Sequence, residues 1–562
     1  MSLRSPITVL GVGLLAASLA AACAPAVGTI DDPGSDPPAG SDPAVDGGGG
    51  GGGDGAAPTD DSTPPGDDTA APSDPSDTGS GGGGTDTAPP PADTAPPPDP
   101  TSGLGLVKGL AISEIAVFQG VKVSIEKSGA KTTSRKAPVV AGREGVLRVY
   151  VTPGAGYSPQ AVTGVLTLTR GGGAPVVLTD VKTISAASSD GSLASTFDFE
   201  LDSASLATDT QYSVALKVSG GGGAGSEAAA YPLGGAAESL DAQSGGDVLK
   251  VKLVPVQYGA DGSNRLPDTS AAQVERYRAE MYRIYPAKKV EITVRAPYAY
   301  SSPIDAGGSG WSEVLQALTN LRESDGAPSD VYYFGAFAPA SSFDSYCSGG
   351  CVTGLSGLIT DPSDTFGRAS VGVGYTGDVS AETMAHEVGH AHGRSHADCG
   401  GASGIDPSYP YGGAGIGSWG YDITSKSLLS PTKYTDMMGY CNPVWVSDYT
   451  YGALFKRMAY VAAHPMIVRP AGAPARWRFV GVAADGSLKW GDELTVRSPP
   501  IAEPHTIEYV AADGRKETVT GVYYPYNDLP GGYLLVPVST LEFSTMHVLD
   551  MPSGVATHLS AP

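Results

Sequence analysis

Short runs of alternating apolar and polar residues fill residues 104–245, with Gly, Pro and Asp concentrated between the runs. Period-two alternation of this kind predicts half-buried β-strands. The five clearest runs are 111–118, 145–152, 161–169, 195–201 and 212–218. Their spacing is typical of an antiparallel sandwich, so we predict a β-sandwich domain over residues 104–245. This domain contains no His and no Cys, so we expect it to act as a spacer or to dock the substrate rather than to supply catalytic residues.

The pattern changes in residues 246–464, where strand-like runs alternate with amphipathic helical periods. Strands are predicted at 249–258, 289–296, 330–337, 354–360 and 369–375, and helices at 271–285 and 311–324. This interleaving indicates an α+β domain with a mixed sheet and helices. After residue 464 the chain returns to β runs, with hairpin signals at Asp485-Gly486 and Asp513-Gly514. We therefore predict a second β-sandwich domain over residues 465–562.

The N-terminal hundred residues lack both patterns. Residues 24–103 contain 18 Gly, 17 Pro and 15 Asp, with no Lys, Arg, Glu or aromatic residue. Such a segment cannot bury enough apolar surface to offset its ordering entropy, so residues 23–103 are expected to form a disordered linker or stalk. Residues 1–22 have Arg4 followed by an apolar run and small residues, which is typical of an export signal.

Residues 19–23, LAAAC, resemble a bacterial lipobox, in which Cys23 would become the lipidated first residue of the mature chain. Ala20 stands where an aliphatic residue such as Leu is usual. Ordinary signal cleavage after Ala22 is the alternative. We expect an exported protein, either a cell-surface or outer-membrane lipoprotein held to the membrane by its N-terminal lipid alone, or a secreted one.

The net charge of the chain is −24, but residues 104–562 carry only −10 of it. Most of the acidity therefore belongs to the predicted linker and does not by itself indicate a binding partner. No basic block or basic domain is present, which disfavours a nucleic-acid binder that relies on phosphate neutralisation. Beyond the N-terminus no apolar run approaches the roughly 18–20 residues of a spanning helix, which disfavours a polytopic membrane protein.

The chain has five cysteines, an odd number for an exported protein. If Cys23 carries lipid, the other four can form two disulfides in an oxidising compartment. Four cysteines allow three connectivities, of which we favour Cys347–Cys351 with Cys399–Cys441. An alternative is that Cys347 and Cys351 are thiolate ligands of a zinc ion.

Four of the eight histidines fall in the segment HEVGHAHGRSH, residues 386–396. His386 and His390 are four residues apart, so on a helix both imidazoles lie on one face and can bind one metal ion. Gly393 permits the left-handed turn that ends such a helix, after which His396 can supply a third ligand. Three protein ligands leave a position for water, which is typical of catalytic rather than structural zinc. Glu387 would lie beside that water as general base.

Three further features accompany this segment. Ser380 is a candidate N-cap for the helix. Met384 and Val388 form an apolar pair on the face that would be buried. His392 lies about 200° around the helix from His390, so we expect it to pack or to be solvated rather than to bind metal.

The motif, read as His386, Glu387, His390, Gly393 and His396, resembles that of the metzincin zinc endopeptidases. The resemblance covers roughly residues 248–464 and implies a metzincin-like fold, one catalytic Zn²⁺ and a protein or peptide substrate. Calcium is possible but not indicated. Ala397 directly follows the third histidine, where many families have a characteristic residue, so the resemblance is to the clan and not to a named family.

Metzincins also carry a Met-turn beneath the three histidines, and DMMGY at residues 436–440 resembles it. The resemblance makes Met438 the buried methionine. It also makes Tyr440 a candidate zinc-associated residue that supports the tetrahedral intermediate. Ordinary core packing of the two methionines is the alternative.

The resemblance further implies an antiparallel edge strand that binds extended peptide. Residues 354–360 are our candidate, with an internal strand as the alternative. Tyr411, Trp419 and Tyr421 would either line the substrate pocket or pack beneath a Gly-rich loop.

The predicted function is zinc-dependent hydrolysis of peptide bonds. Two alternatives stay open: a surface lipoprotein that binds or adheres and has an inactive zinc site, and a zinc hydrolase acting on a bond other than a peptide. Substrate identity and oligomeric state are not indicated by these residues.

Overall fold

The computed structural model describes residues 101–465, 475–497, 499–551 and 557–562. These residues belong to one compact unit. The predicted export signal, Cys23 and nearly all of the predicted linker lie outside the described residues. No helix within the described ranges is long and apolar enough to cross a membrane.

Residues 104–245, the N-terminal β region, form two antiparallel sheets. The strands are β1 (Leu104–Leu106), β2 (Leu110–Phe118), β3 (Lys122–Lys127), β4 (Ala130–Lys131), β5 (Gly145–Pro153), β6 (Gln160–Thr169), β7 (Val176–Ile184), β8 (Phe197–Leu201), β9 (Gln211–Ser219), β10 (Ala230–Tyr231) and β11 (Glu238–Ser239). One sheet has the order β1-β9-β6-β7, with β10 and β11 also paired to β9, and the other has the order β4-β3-β2-β5-β8. Alternate residues of both sheets, such as Ile115, Leu147 and Leu166, enter one shared core.

Residues 246–464, the central region, combine a mixed sheet with helices. The strands are β12 (Val248–Tyr258), β13 (Lys289–Val294), β14 (Tyr298–Tyr300), β15 (Val331–Phe337), β16 (Gly354–Ser356), β17 (Ala369–Val373), β18 (Gly420–Asp422), β19 (Ser427–Leu429), β20 (Thr435–Asp436) and β21 (Val444–Trp445). The helices are α1 (Ala271–Ile284), α2 (Trp311–Ser324), α3 (Phe343–Tyr346), α4 (Asp378–Ala391) and α5 (Asp448–Ala463). The main sheet has the order β13-β12-β15-β17-β16. Its strands are parallel except for β16, which is antiparallel to β17 at the edge.

Two predictions for this region need correction. The strand predicted over 354–360 ends at Ser356, because Gly357 and Leu358 bond instead to the segment at Pro525 and Tyr526. Ser380 does not cap α4, which begins at Asp378 after Gly377. Gly377 has φ +122° and turns the chain into the helix three residues earlier than predicted, while Asp378 places a carboxylate at the positive end of the helix dipole.

Residues 475–560 form one antiparallel sheet, the C-terminal sheet. Its strands are β22 (Ala475–Val482), β23 (Leu488–Val496), β24 (Glu503–Val510), β25 (Lys516–Pro525), β26 (Gly532–Pro537), β27 (Thr545–Val548) and β28 (His558–Ser560), in the order β23-β22-β26-β25-β24-β27-β28. Both predicted hairpin turns are present, with Gly486 at φ +77° and Gly514 at φ +86°. The strands pair as a single sheet, and a second sandwich stays a prediction.

Buried contacts join the three regions. Arg143 of the N-terminal β region is fully buried and donates to Ala287 O at 2.7 Å and Tyr282 O at 2.5 Å in the central region. On the other side, Tyr524 of β25 donates its hydroxyl to the buried carboxylate of Asp364 at 2.8 Å. The second hydrophobic core likewise contains residues of both the central region and the C-terminal sheet. The C-terminal sheet is therefore packed against the central region.

Candidate metal centre

Helix α4 and the turn after it bring three histidines together. His386, Glu387 and His390 lie in the last turns of α4. Gly393, at φ +80°, then reverses the chain so that His396 returns to the same point. The Nε2 atoms of the three histidines are 3.0–3.2 Å apart. This triangle is small enough for one ion at the usual Zn–N distance of about 2.0–2.1 Å to contact all three nitrogens.

The other ring nitrogen of each histidine is held by the backbone. The Nδ1–H groups donate to carbonyl oxygens: His386 to Met437 at 2.7 Å, His390 to Arg394 at 2.5 Å and His396 to Ser403 at 2.5 Å. The carbonyl oxygens favour the tautomer with the proton on Nδ1. In that tautomer each Nε2 directs a lone pair at the other two, an arrangement that a cation stabilises. Burial lowers the pKa of His390 to about 4, which keeps that ring neutral. The residues therefore fit a metal ion on their own chemistry.

Asp528 is the fourth group at this point, and it comes from the loop between β25 and β26. Its Oδ1 lies 3.2 Å from His396 Nε2 and 3.4 Å from His386 Nε2, and its Oδ2 lies 3.6 Å from His390 Nε2. The side chain is only 8% exposed. Burial would raise the pKa of Asp528, but contacts with the three histidines lower that pKa well below its ordinary value.

Glu387 is buried next to this cluster. The β carbon of an Ala at Gly354 would lie 2.1 Å from Glu387 Oε1, so the carboxylate lies directly against the edge strand β16. Glu387 Oε2 and Asp528 Oδ2 are both buried without a hydrogen-bond partner, and buried polar atoms of this kind call for an ion, a water molecule or a shared proton. Burial and the Asp528 charge raise the pKa of Glu387 well above its ordinary value.

The segment predicted to be a Met-turn lies beneath the histidines. Met438 is buried, and a β carbon on Gly389 of α4 would lie 2.7 Å from its Sδ. The turn is held by the fully buried Asp436, which accepts from Met438 N at 2.9 Å and Ser447 N at 2.8 Å. The methionine therefore packs against the helix that carries two of the three histidines.

Tyr440 also lies at the cluster. Its ring centroid is 4.9 Å from that of His396, and its hydroxyl donates to Asp528 Oδ1 at 2.8 Å. The phenol thus faces the same point as the three Nε2 atoms, and its predicted part in catalysis stays a prediction.

The structure pairs Cys347 with Cys351 and Cys399 with Cys441, the connectivity favoured from sequence. The thiolate-ligand alternative for Cys347 and Cys351 is therefore wrong. The second disulfide spans 42 residues and links the loop after His396 to the turn that contains Met438. It therefore ties two parts of the candidate site together.

His392 is a core residue, the first of the two alternatives, packed or solvated, that the sequence left open. It is stacked on Tyr332 with ring centroids 4.1 Å apart, and its Nδ1 is 2.7 Å from Val388 O. Burial lowers the pKa of His392 to about 3, so the ring is neutral.

The three aromatic residues considered for a substrate pocket pack instead. Tyr421 contacts Phe118 in a small core with the N-terminal β region, and Trp419 packs against the same core. The hydroxyl of Tyr411 accepts a hydrogen bond from Lys136 Nζ of the N-terminal β region at 2.6 Å. The loop that carries these residues therefore joins the central region to the N-terminal β region.

Sequence reasoning missed Asp528. The segment YNDLPG at residues 526–531 has the composition of a turn between two strands, and Asp528 is 132 positions from His396. Only the docking of the C-terminal sheet brings its carboxylate to the cluster. No motif spacing could have indicated it.

Residues 309–444, about a quarter of the chain, match the family model Peptidase M66. No curated protein matches the chain. The matched segment contains the three histidines, Glu387, Met438, Tyr440 and all four paired cysteines, whereas Asp528 lies outside it. The match supports assigning the central region to a metallopeptidase family.

Proposed function

We propose that this protein is a zinc-dependent endopeptidase of the metzincin type, exported and anchored by lipid or secreted. The observation that carries the proposal is the convergence of three Nε2 atoms at 3.0–3.2 Å beside the buried Glu387 carboxylate, whose Oε2 has no hydrogen-bond partner. The match to a peptidase family over the same residues supports it.

His386, His390 and His396 would hold the metal through Nε2, with their Nδ1–H donors fixed by backbone carbonyls. When bound, a zinc ion supplies Lewis-acid polarisation of water and of the scissile carbonyl. Nitrogen ligands and a tetrahedral site are what zinc prefers.

Glu387 performs the proton transfer. Its carboxylate accepts a proton from the attacking water and then passes it to the leaving amine, a role worth on the order of 10²–10⁴-fold in rate. Gly354 leaves room for this carboxylate against β16. Tyr440 directs its phenol at the same point and can donate to the oxyanion of the tetrahedral intermediate.

The test is Glu387→Gln, assayed by digestion of a broad peptide library and by zinc content. We expect the variant to keep one zinc ion and to lose cleavage. Glu382→Gln, on the exposed side of the same helix, is the matched control and should cleave as the native chain does. Native-like cleavage by the zinc-loaded Glu387→Gln chain would contradict the mechanism.

A second candidate is a binding protein with a structural metal site. The observation that favours it is Asp528, because four protein ligands are typical of closed, structural zinc sites. Zinc bound without cleavage in the native chain and also in the Asp528→Asn chain would favour this candidate.

A further inference from the structure

We propose that the loop 526–531 of the C-terminal sheet is a built-in inhibitor, with Asp528 as a fourth metal ligand that closes the candidate site. This inference rests on the proposed function, because it concerns how that same site is regulated. The loop connects β25 to β26.

The first support is the position of the Asp528 carboxylate. Its two oxygens lie 3.2–3.6 Å from the three histidine Nε2 atoms. It is buried, and Tyr440 donates to Oδ1 at 2.8 Å while Oδ2 has no hydrogen-bond partner. A carboxylate oxygen is an ordinary zinc ligand. The space that a water or a substrate carbonyl needs is therefore taken by this side chain.

The second support is how the chain enters the site. Gly357, one residue past β16, forms an antiparallel bridge with Tyr526, and Leu358 N donates to Pro525 O at 3.1 Å. β16 is the edge of the main sheet, and Glu387 lies against it at Gly354. Extended peptides bind to exposed sheet edges by adding a strand. Segment 525–528 thus continues from the sheet edge into the metal cluster, along the path that an extended substrate would follow.

The third support is that specific contacts hold the first two residues of the loop, Tyr526 and Asn527. Tyr526 is buried, and its hydroxyl lies 2.5 Å from Ser312 Oγ. Ser403 Oγ donates to Asn527 O at 2.7 Å, which ties the loop to the segment after His396. Asn527 Nδ2 also lies 2.7 Å from His390 Nδ1. An opening of the site therefore has to break the contacts of Asn527 and Asp528, whereas the contact of Tyr526 with Ser312 can stay in place.

Opening of the loop then sets the apparent affinity of the site for any ligand of the metal. If the open form makes up a fraction f of the molecules, the apparent association constant of a metal ligand is f times that of the open form. With f below about 0.1, the closed loop weakens the binding of an added ligand at least about tenfold. A protein substrate has to displace the loop backbone from the sheet edge. A small ligand of the metal needs only the position that the Asp528 carboxylate takes.

The experiment uses the full chain loaded with Co²⁺, whose visible absorption reports the number and type of metal ligands. Acetohydroxamate is titrated into the native chain, Asp528→Asn and Asp528→Ala. Asp513→Asn, which removes a carboxylate from the exposed hairpin turn between β24 and β25, is the matched control. Each chain is also titrated with a zinc chelator.

We expect both Asp528 variants to bind acetohydroxamate at least about tenfold more tightly than the native chain, and to lose zinc to the chelator more readily because one ligand is missing. We also expect their Co²⁺ spectra to differ from the native spectrum before any hydroxamate is added. Equal hydroxamate affinity and an unchanged Co²⁺ spectrum in the Asp528 variants would overturn the proposal.

The outcome is independent of proteolysis. Tighter hydroxamate binding without cleavage of any peptide would support the inhibitory loop and contradict the endopeptidase function. Metal-dependent cleavage by the native chain, with no effect of the Asp528 substitutions on ligand binding, would support the function and overturn the loop.

Discussion

Substitution of Gly354 by Ala tests whether Glu387 acts from the position that the structure gives it. The new β carbon would lie 2.1 Å from Glu387 Oε1, 2.5 Å from its Cδ and 2.6 Å from its Cγ. Ordinary contacts begin near 3.4 Å, so the carboxylate has to move by about 1.3 Å. Gly354 does not have a left-handed backbone conformation, so Ala adds no backbone strain and its effect falls on the Glu387 side chain.

A misplacement of about 1 Å at a reacting group costs on the order of 10²-fold in rate, or about 2.7 kcal/mol in activation free energy. We expect Gly354→Ala to lower kcat/KM on a cleaved peptide by about that factor while zinc content stays at one ion per chain. The assay is steady-state kinetics beside metal analysis.

Gly357→Ala is the matched control, because its β carbon would lie 3.5 Å from the nearest atom, the Tyr533 hydroxyl. It changes the same sheet edge without touching Glu387, and we expect native-like kinetics. Native activity in a folded, zinc-loaded Gly354→Ala chain would refute the placement of Glu387 as general base.

Three further predictions concern stability and turnover. Replacing Cys399 and Cys441 together by Ser removes the cross-link that closes a 42-residue loop. On the chain-entropy model this should lower the free energy of unfolding by about 4 kcal/mol. A loss under about 1 kcal/mol, measured by denaturant titration, would contradict this expectation. Burial, reinforced by the Glu114 charge, raises the pKa of Glu126 from 4.5 to about 6. The folded protein therefore binds a proton at Glu126 more tightly than the unfolded chain does. The resulting stabilisation is fully present below pH 4.5 and is lost as the pH rises through about 6. Glu126→Gln should therefore gain up to about 2 kcal/mol relative to the native chain between pH 4.5 and 7, and parallel stability–pH curves would refute this. Tyr440→Phe should lower kcat more than it changes KM; an unchanged kcat would remove the phenol from catalysis.

The histidine half of the candidate site could be predicted from sequence because it is local. His386 and His390 share one helical face at a fixed spacing, and Gly393 and His396 follow within six residues. The periodicity that predicts the helix also fixes which side chains converge. The favoured disulfide pairing, one of the three that four cysteines allow, is confirmed.

The parts that sequence missed depend on how distant segments pack. Asp528 reaches the histidines only because the C-terminal sheet docks on the central region. The strand at 354–360 is shortened because Gly357 and Leu358 bond that same sheet. Trp419 and Tyr421 pack against the N-terminal β region rather than lining a pocket. Local pattern carries no information on such contacts.

The central claim is tested most directly by a cleavage profile of the full-length Asp528→Asn chain and of the same chain carrying Glu387→Gln, with and without chelator. Zinc content is measured in parallel. We predict cleavage that the chelator abolishes, and a Glu387→Gln chain that holds one zinc ion and does not cleave. Chelator-resistant cleavage, or equal cleavage by the zinc-loaded Glu387→Gln chain, would contradict a zinc peptidase that uses Glu387 as its base.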